Sequence, residues 1–131
     1  DDLSINLKTV YAEALTVEQG EMVTNRLLTE SNRSFTAIQA STDLLALGAL
    51  RAIRKNGLIC PDDISVSGFN DMPFAEEFSP GLTSVRVPLE EIGIEAATQL
   101  MRAINDGRGS SLVVTLPVSL VIRASTGPAT I

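Results

Sequence analysis

Short extended, apolar stretches alternate along this chain with amphipathic stretches of a dozen or more residues. Parallel strands cannot be joined by a tight turn, and a helix is the usual connection between them. The alternation therefore predicts βαβ units with right-handed crossovers. We expect an α/β fold with a Rossmann-like parallel sheet flanked by helices, and 131 residues are enough to give it a core of its own.

Eight elements are predicted, five of them extended and three helical. The extended segments are 10–15, 35–40, 64–68, 82–85 and 112–122, the last interrupted at Pro117. The helices are 16–31, 41–56 and 89–104.

Capping residues support the helix boundaries. Thr16 suits an N-cap, and Gln19 three residues later completes a capping box. The polar triplet 41–43 offers N-cap oxygens for the second helix, and Gly57 follows it as a left-handed stop.

The second helix is apolar around most of its circumference between residues 44 and 53. A helix with one buried face would carry a polar stripe, so this one must be covered on most sides. Either it is a central helix between the sheet and neighbouring helices, or part of it forms a subunit interface. The pattern alone leaves both open.

Charge and composition exclude several function classes. The net charge of −6 disfavours binding of phosphate backbones by this stretch, and the absence of histidine excludes Ser-His-Asp and Cys-His catalysis and His-based zinc sites within it. Cys60 is the only cysteine, so no intrachain disulfide can form, which favours a reducing, cytoplasmic compartment. No apolar run approaches the ~20 residues that span a bilayer, and the opening Asp-Asp-Leu does not resemble a signal peptide.

Polar residues follow three of the predicted strands, at Thr16, at 41–43 and at 69–71. In an open α/β sheet, ligands bind beyond the carboxyl ends of the strands. Asn, Asp and Thr side chains can hydrogen-bond sugar or base hydroxyls, and Phe69 can cover an apolar ring face. Each also has a simpler interpretation, as a helix cap, a turn residue or a core aromatic.

Asp43 and Asp71 suggest a carboxylate pair for Mg²⁺, but no phosphate-binding GxxxxGK[ST] loop accompanies them. We therefore predict neither a metal nor a cofactor.

Three stretches, in order, resemble the LacI/GalR family of bacterial transcription regulators. They are FTAIQASTDLLALGALRAIRKNGLICPDDISVSGFND, SPGLTSVRVPLEEIGIEAATQLMRAI and LPVSLVIRAST. They resemble the family's Asn/Thr-Asp motif, Ala-Leu-Gly-rich helix and Gly-Phe/Tyr-Asp loop, its Pro-x-Leu-Thr-Thr-Val segment, and its closing Leu-Pro-x-x-Leu-Val-x-Arg-x-Ser-Thr.

The resemblance implies a bilobal, periplasmic-binding-protein-like domain with a sugar or other small metabolite between its lobes. This chain, 1–131, would be the C-terminal portion, with 1–87 and 112–131 in the second lobe and 88–107 a helix that packs in the first. An N-terminal helix-turn-helix would bind DNA, so DNA binding is expected only of a longer parent protein.

Site residues implied by the resemblance depart from the family's usual types. Effector contacts fall on Thr42 where Asn is frequent, on Asn70 where Asp is usual, and on Leu15 where an aromatic often stacks. Asp43 and Asp71 are expected to orient these groups or cap helices, with Phe69 beside them.

Dimer contacts of the family fall on Leu47 and Phe78, with Leu44 on the same apolar helix. That agreement favours the interface interpretation of the second helix, and hence a homodimer.

Three function classes remain. We expect a ligand-responsive repressor fragment with no catalytic residues. The first alternative is a periplasmic sugar-binding protein of a transporter, which shares the fold. The second is an α/β enzyme, which the missing histidine and phosphate loop oppose.

Overall fold

A computed structural model describes residues 7–30, 34–106 and 112–129. Its helices are α1 (Val17–Glu30), α2 (Asp43–Lys55) and α3 (Leu89–Asp106), and a single 3₁₀ turn spans Ala75–Glu77. Its strands are β1 (Ala37–Gln39), β2 (Ser65–Asn70), β3 (Thr83–Arg86) and β4 (Ser119–Val121).

The four strands form one sheet in the order β1-β2-β3-β4. The pairs β1–β2 and β2–β3 are parallel, which confirms the predicted α/β architecture. β4 instead pairs antiparallel with β3. Of the predicted extended stretch 112–122, only Ser119–Val121 joins the sheet, because Pro117 cannot donate to a ladder and pairing begins after it.

The predicted strand at 10–15 is wrong. These residues lie in coil and bends, and the side chains of Tyr11 and Leu15 are 83% and 58% exposed. An alternating pattern over six residues makes a strand only where a neighbouring strand pairs with it, and β1 pairs only with β2 among the described residues.

Both predicted N-caps are present, but one capping box is incomplete. The N–H of Gln19 donates to Oγ1 of Thr16 at 3.3 Å, whereas Oε1 of Gln19 accepts from the N–H of Glu13 rather than from Thr16. At α2 the N–H of Leu45 donates to Oγ1 of Thr42 at 3.3 Å, and Gly57 follows with φ +71°.

The predicted end of the first helix at 31–32 lies outside the described residues. α3 runs two residues past its predicted end, to Asp106.

The core forms where α2 packs between α1 and the sheet. From α2 it takes Ala46, Ala49, Leu50 and Ile53, and from the sheet and its approaches Ile64, Val66 and Leu82. Contact with α1 on one side and with the sheet on another explains why α2 is apolar around most of its circumference, as the central-helix interpretation requires. Leu44 and Leu47 stay partly exposed on the remaining side.

Two glycines set the distance between α1 and α2. A Cβ on Gly48 would lie 2.5 Å from the backbone nitrogen of Glu21 and closer still to the carbonyl oxygen of Val17. A Cβ on Gly20 would overlap the backbone of Leu45. Only glycine allows the two backbones to approach this closely, so the crossing point is fixed by these residues.

α3 differs from α2 in that no other described helix or strand packs extensively against it. Its apolar residues are largely exposed: Leu89, Ile92, Ile94, Leu100, Met101 and Ile104. The apolar face of α3 therefore has no partner within the described part of the chain.

The helical glycines give a paired stability prediction. Gly48→Ala should destabilise the fold by about 1–3 kcal/mol, because the added methyl forces α1 and α2 apart. The methyl group added by Gly93→Ala in α3 would have no neighbouring atom within 4 Å, so this variant should be neutral or more stable by about 0.5–1 kcal/mol. Urea unfolding of both variants measures the difference, and equal midpoints would refute the tight crossing.

Candidate functional site

The carboxyl ends of β1 and β2 meet at one edge of the sheet, where most of the predicted effector contacts lie. Parallel pairing puts the chain after β1, which carries Thr42 and Asp43, beside the end of β2 at Asn70. The N–H of Met72 donates to Oδ2 of Asp43 at 2.7 Å, which joins the two segments directly. In β3, Arg86 lies opposite Asn70 in the register.

Asn70 and Asp71 both have left-handed backbones, with φ of +105° and +52°. Asn and Asp are the non-glycine residues that adopt this region most readily, and such residues gather at functional sites. Asn70 is half-buried, and its side-chain amide makes no hydrogen bond to any described residue.

Asp71 is held between two arginines. Its Oδ1 lies 2.6 Å from Nη1 of Arg123, and its Oδ2 accepts from Nε of Arg86 at 2.7 Å and lies 2.6 Å from Nη2. The Asp71 side chain is 3% exposed, and its bond to Arg123 is better shielded from water than its bond to Arg86, whose side chain is mostly exposed. Burial raises the pKa of Asp71, but the hydrogen bonds and charges of Arg123 and Arg86 outweigh it and hold the pKa below its usual value.

Asp43 is completely buried and bonded internally. Oδ1 accepts from the hydroxyl of Ser84 at 2.6 Å and Oδ2 from the N–H of Met72. A Cβ on Gly68 would overlap Oδ1, which explains the glycine two residues before Asn70. Asp43 therefore ties the start of α2 to the chain after β2 and to β3.

The other predicted effector contacts differ in exposure. Thr42 is half-buried and caps α2. Phe69 is 37% exposed at the end of β2, and Leu15 lies exposed just ahead of α1. Thr42, Phe69, Asn70 and Asp71 thus share one sheet edge.

Three residues of this edge escaped sequence reasoning: Ser84, Arg86 and Arg123. Ser84 is fully buried in a four-residue strand, where a serine signals an internal hydrogen bond. Arg123 is the cation of the LPVSLVIRAST stretch, and an arginine in so apolar a segment calls for an acidic partner. No local spacing could pair it with Asp71, 52 residues away.

The predicted interface residues are partly buried. Leu44 and Leu47 lie one turn apart on α2, and Phe78 packs against the core with its ring centroid 5.7 Å from that of Phe74.

A shallow cavity of about 340 Å³ opens near the start of α3 and the approach to β4. It is lined by Pro88, Glu91, Leu116, Pro117, Val118 and Ser119, and so includes none of the predicted effector contacts.

Among residues 7–30, 34–106 and 112–129, no three His, Cys, Asp or Glu side chains are grouped to hold a metal ion. No helix in the same ranges is both long and apolar enough to cross a bilayer.

Comparison with known proteins identifies the family. Residues 4–126 match the family of periplasmic binding protein-like domains. The chain is 45% identical over 89 residues to the lactose operon repressor of Rhizobium radiobacter, an alignment that covers 68% of this chain and 78% of the relative. The chain belongs to the LacI/GalR family.

Longer LacI/GalR relatives extend the match. The regulator DegA of Bacillus subtilis is 36% identical over 127 residues, 97% of this chain but 36% of DegA. This chain therefore spans a little over a third of such a regulator's length.

Solved LacI/GalR structures superpose closely. An Enterococcus faecium regulator with bound ribose gives a TM-score of 0.79 at 29% identity, covering 88% of this chain and 42% of that one. An Arthrobacter regulator in complex with lactose gives 0.79 at 30%, covering 88% and 43%. A dimeric Lac repressor gives 0.80 at 31%, covering 88% and 42%.

We call the contacts of Arg86 and Arg123 with Asp71 the arginine clamp, and they predict that the stability of the fold depends on pH in the acid range. Because the folded pKa of Asp71 lies below its unfolded value near 3.9, the clamp stabilises fully above that value and is lost as the pH falls through the folded pKa. Asp71→Asn should therefore cost about 1–3 kcal/mol at pH 7 and much less near pH 2. Urea midpoints across this range test it, with Glu77→Gln as an exposed control. A deficit independent of pH would contradict the clamp.

Proposed function

We propose that this chain is the effector-binding part of a LacI/GalR-family repressor, and that it binds a small polyhydroxylated metabolite, a sugar or related compound, at the carboxyl edge of the sheet. The observation that carries the proposal is Asn70, whose amide has no partner among the described residues although its neighbours Asp71 and Met72 are both held by hydrogen bonds. An amide offers two donors and an acceptor, which suits hydroxyl groups.

Neighbouring groups suit the same class of ligand. Thr42 accepts a hydrogen bond from its helix and keeps its own O–H to donate. The half-exposed ring of Phe69 can pack on an apolar sugar face, and Leu15 adds apolar surface if the ligand reaches α1. Asp71 is already neutralised by two arginines, so it acts by orienting Asn70.

Related proteins support a sugar-like ligand, since the Enterococcus and Arthrobacter regulators hold ribose and lactose in their structures. Thr42, Asn70 and Leu15 nevertheless depart from the family's usual Asn, Asp and aromatic. These departures favour a compound other than a typical hexose.

The ligand would act between two lobes. We assign 1–87 and 112–131 to the second lobe and 88–107 to the first, and the uncovered apolar face of α3 supports this division. A ligand held between the lobes would stabilise one hinge arrangement, with a coupling of about 1–3 kcal/mol to DNA binding by an N-terminal helix-turn-helix of the parent protein.

The parent protein would be a cytoplasmic homodimer. Leu44 and Leu47 lie on the side of α2 that neither α1 nor the sheet covers, and a dimeric Lac repressor is among the similar structures. The names of the relatives favour a regulator over a transport receptor, and they give no support to an enzyme.

Thermal shift of the full-length protein with ribose, lactose, other pentoses and hexoses, uronates and nucleobases tests the ligand class. At least one compound should stabilise the wild type, and Asn70→Ala should reduce its affinity at least tenfold, since one set of directional hydrogen bonds is lost. Asn25→Ala on α1 is the control and should keep the response. Retained binding in Asn70→Ala would refute this site.

Sedimentation equilibrium tests the dimer. Leu47→Lys should shift the full-length protein toward monomer, because it places a charge in an apolar contact. Met22→Lys, which changes an exposed apolar residue on α1, should leave the dimer intact. A wild type that is monomeric at high concentration would favour the transport receptor instead.

A further inference from the structure

The hydrogen bonds around the strand ends converge on two consecutive residues. The N–H of Asp71 donates to Oγ of Ser84 at 3.1 Å, and the next N–H, of Met72, donates to Asp43. Ser84 in turn donates to the same Asp43 carboxylate, so one buried serine and one buried carboxylate hold both amides. The segment after Asn70 is therefore held both by Asp43 of α2 and by Ser84 of β3.

The C-terminal segment supplies a third anchor. Arg123 donates through Nη1 to both Oδ1 of Asp71 and the carbonyl oxygen of Leu82. Its own backbone is held in place, because its N–H donates to Oγ1 of Thr83 at 2.9 Å. Arg123 is 17% exposed against 56% for Arg86, so it is the better shielded arm of the clamp.

The converging hydrogen bonds lie next to Asn70 and Asp71, whose backbones are both left-handed. Two adjacent non-glycine residues with positive φ are unfavourable in an unrestrained chain, and they persist where the surroundings over-determine them. The bonds that reach the segment after Asn70 end at Asp71 or Met72, and none of them occupies the Asn70 side-chain amide.

We propose that Ser84 and Arg123 are positioning residues, which hold Asp71 and Met72 so that Asn70 keeps its left-handed backbone and presents its amide to the ligand. Neither needs to touch the ligand. The effect on binding rests on the proposed function, whereas the effect on backbone conformation can be measured without any ligand.

Hydrogen–deuterium exchange of the full-length protein tests the conformational part. In Ser84→Ala, the peptide covering residues 69–74 should exchange at least tenfold faster, because the Asp71 amide loses its acceptor and Asp43 loses a donor. Ser125→Ala is a matched control: Ser125 is equally buried and its hydroxyl likewise accepts one hydrogen bond and donates another, but its partners are the backbone groups of Thr83 and Val66. Exchange in α2 around Ile53 corrects both variants for global destabilisation.

Isothermal titration tests the consequence for binding, with ribose, lactose and the compound of largest thermal shift as probes. Ser84→Ala and Arg123→Gln should each weaken binding at least fivefold, whereas Ser125→Ala should not. In Asn70→Ala, adding Ser84→Ala should cause no further loss, because the two residues act on one contact.

The outcomes separate the two proposals. Unchanged exchange at 69–74 in Ser84→Ala overturns the positioning role whatever binds. Faster exchange with full affinity, or additive losses in the double variant, overturns its link to binding. Probes that bind the wild type but are indifferent to Asn70→Ala overturn the proposed site alone. If no probe binds, the proposed function fails and exchange still decides the conformational claim.

Discussion

The arrangement of the sheet edge depends on one buried carboxylate. Asp43 begins α2, and its two oxygens bind Ser84 of β3 and the Met72 amide beyond β2. A helix and two strands are thereby joined at a single group that water does not reach. A buried carboxyl group without hydrogen-bond partners is costly, and the Ser84 hydroxyl and the Met72 N–H supply those partners here. The same demand explains Gly68, since a side chain there would overlap Oδ1.

The sequence predicted those parts of the fold that depend on local chemistry. Thr42 and Gly57 mark the two ends of α2 as predicted, because helix capping depends on residues that are close together in sequence. The false strand at 10–15 and the shortened β4 depend instead on whether a neighbouring strand is available. Hydrophobic periodicity shows which face of a segment is apolar, but it does not show whether another strand lies beside that segment to pair with it.

The candidate site was predictable to a similar extent. Strand-end logic located Thr42, Asn70 and Asp71, since parallel strands finish at a common edge. Ser84 and Arg123 were missed because their partners lie 41 and 52 residues away in sequence, with no periodic pattern to relate them. α2 was ambiguous for a related reason: its covering by α1 depends on Gly20 and Gly48, whose close approach emerges only in three dimensions.

The 52-residue separation between Asp71 and Arg123 also bears on synthesis. A ribosome delivers the chain from its N-terminus at about 5–20 residues per second. The core elements α1, β1, α2 and β2 are therefore complete several seconds before Arg123 emerges. During that interval Asp71 lacks Arg123, the better shielded of its two arginines, although the residues of α1, β1, α2 and β2 have already been synthesised. Truncation ahead of residue 123 would thus leave most of the core-forming chain in place while removing one arm of the clamp.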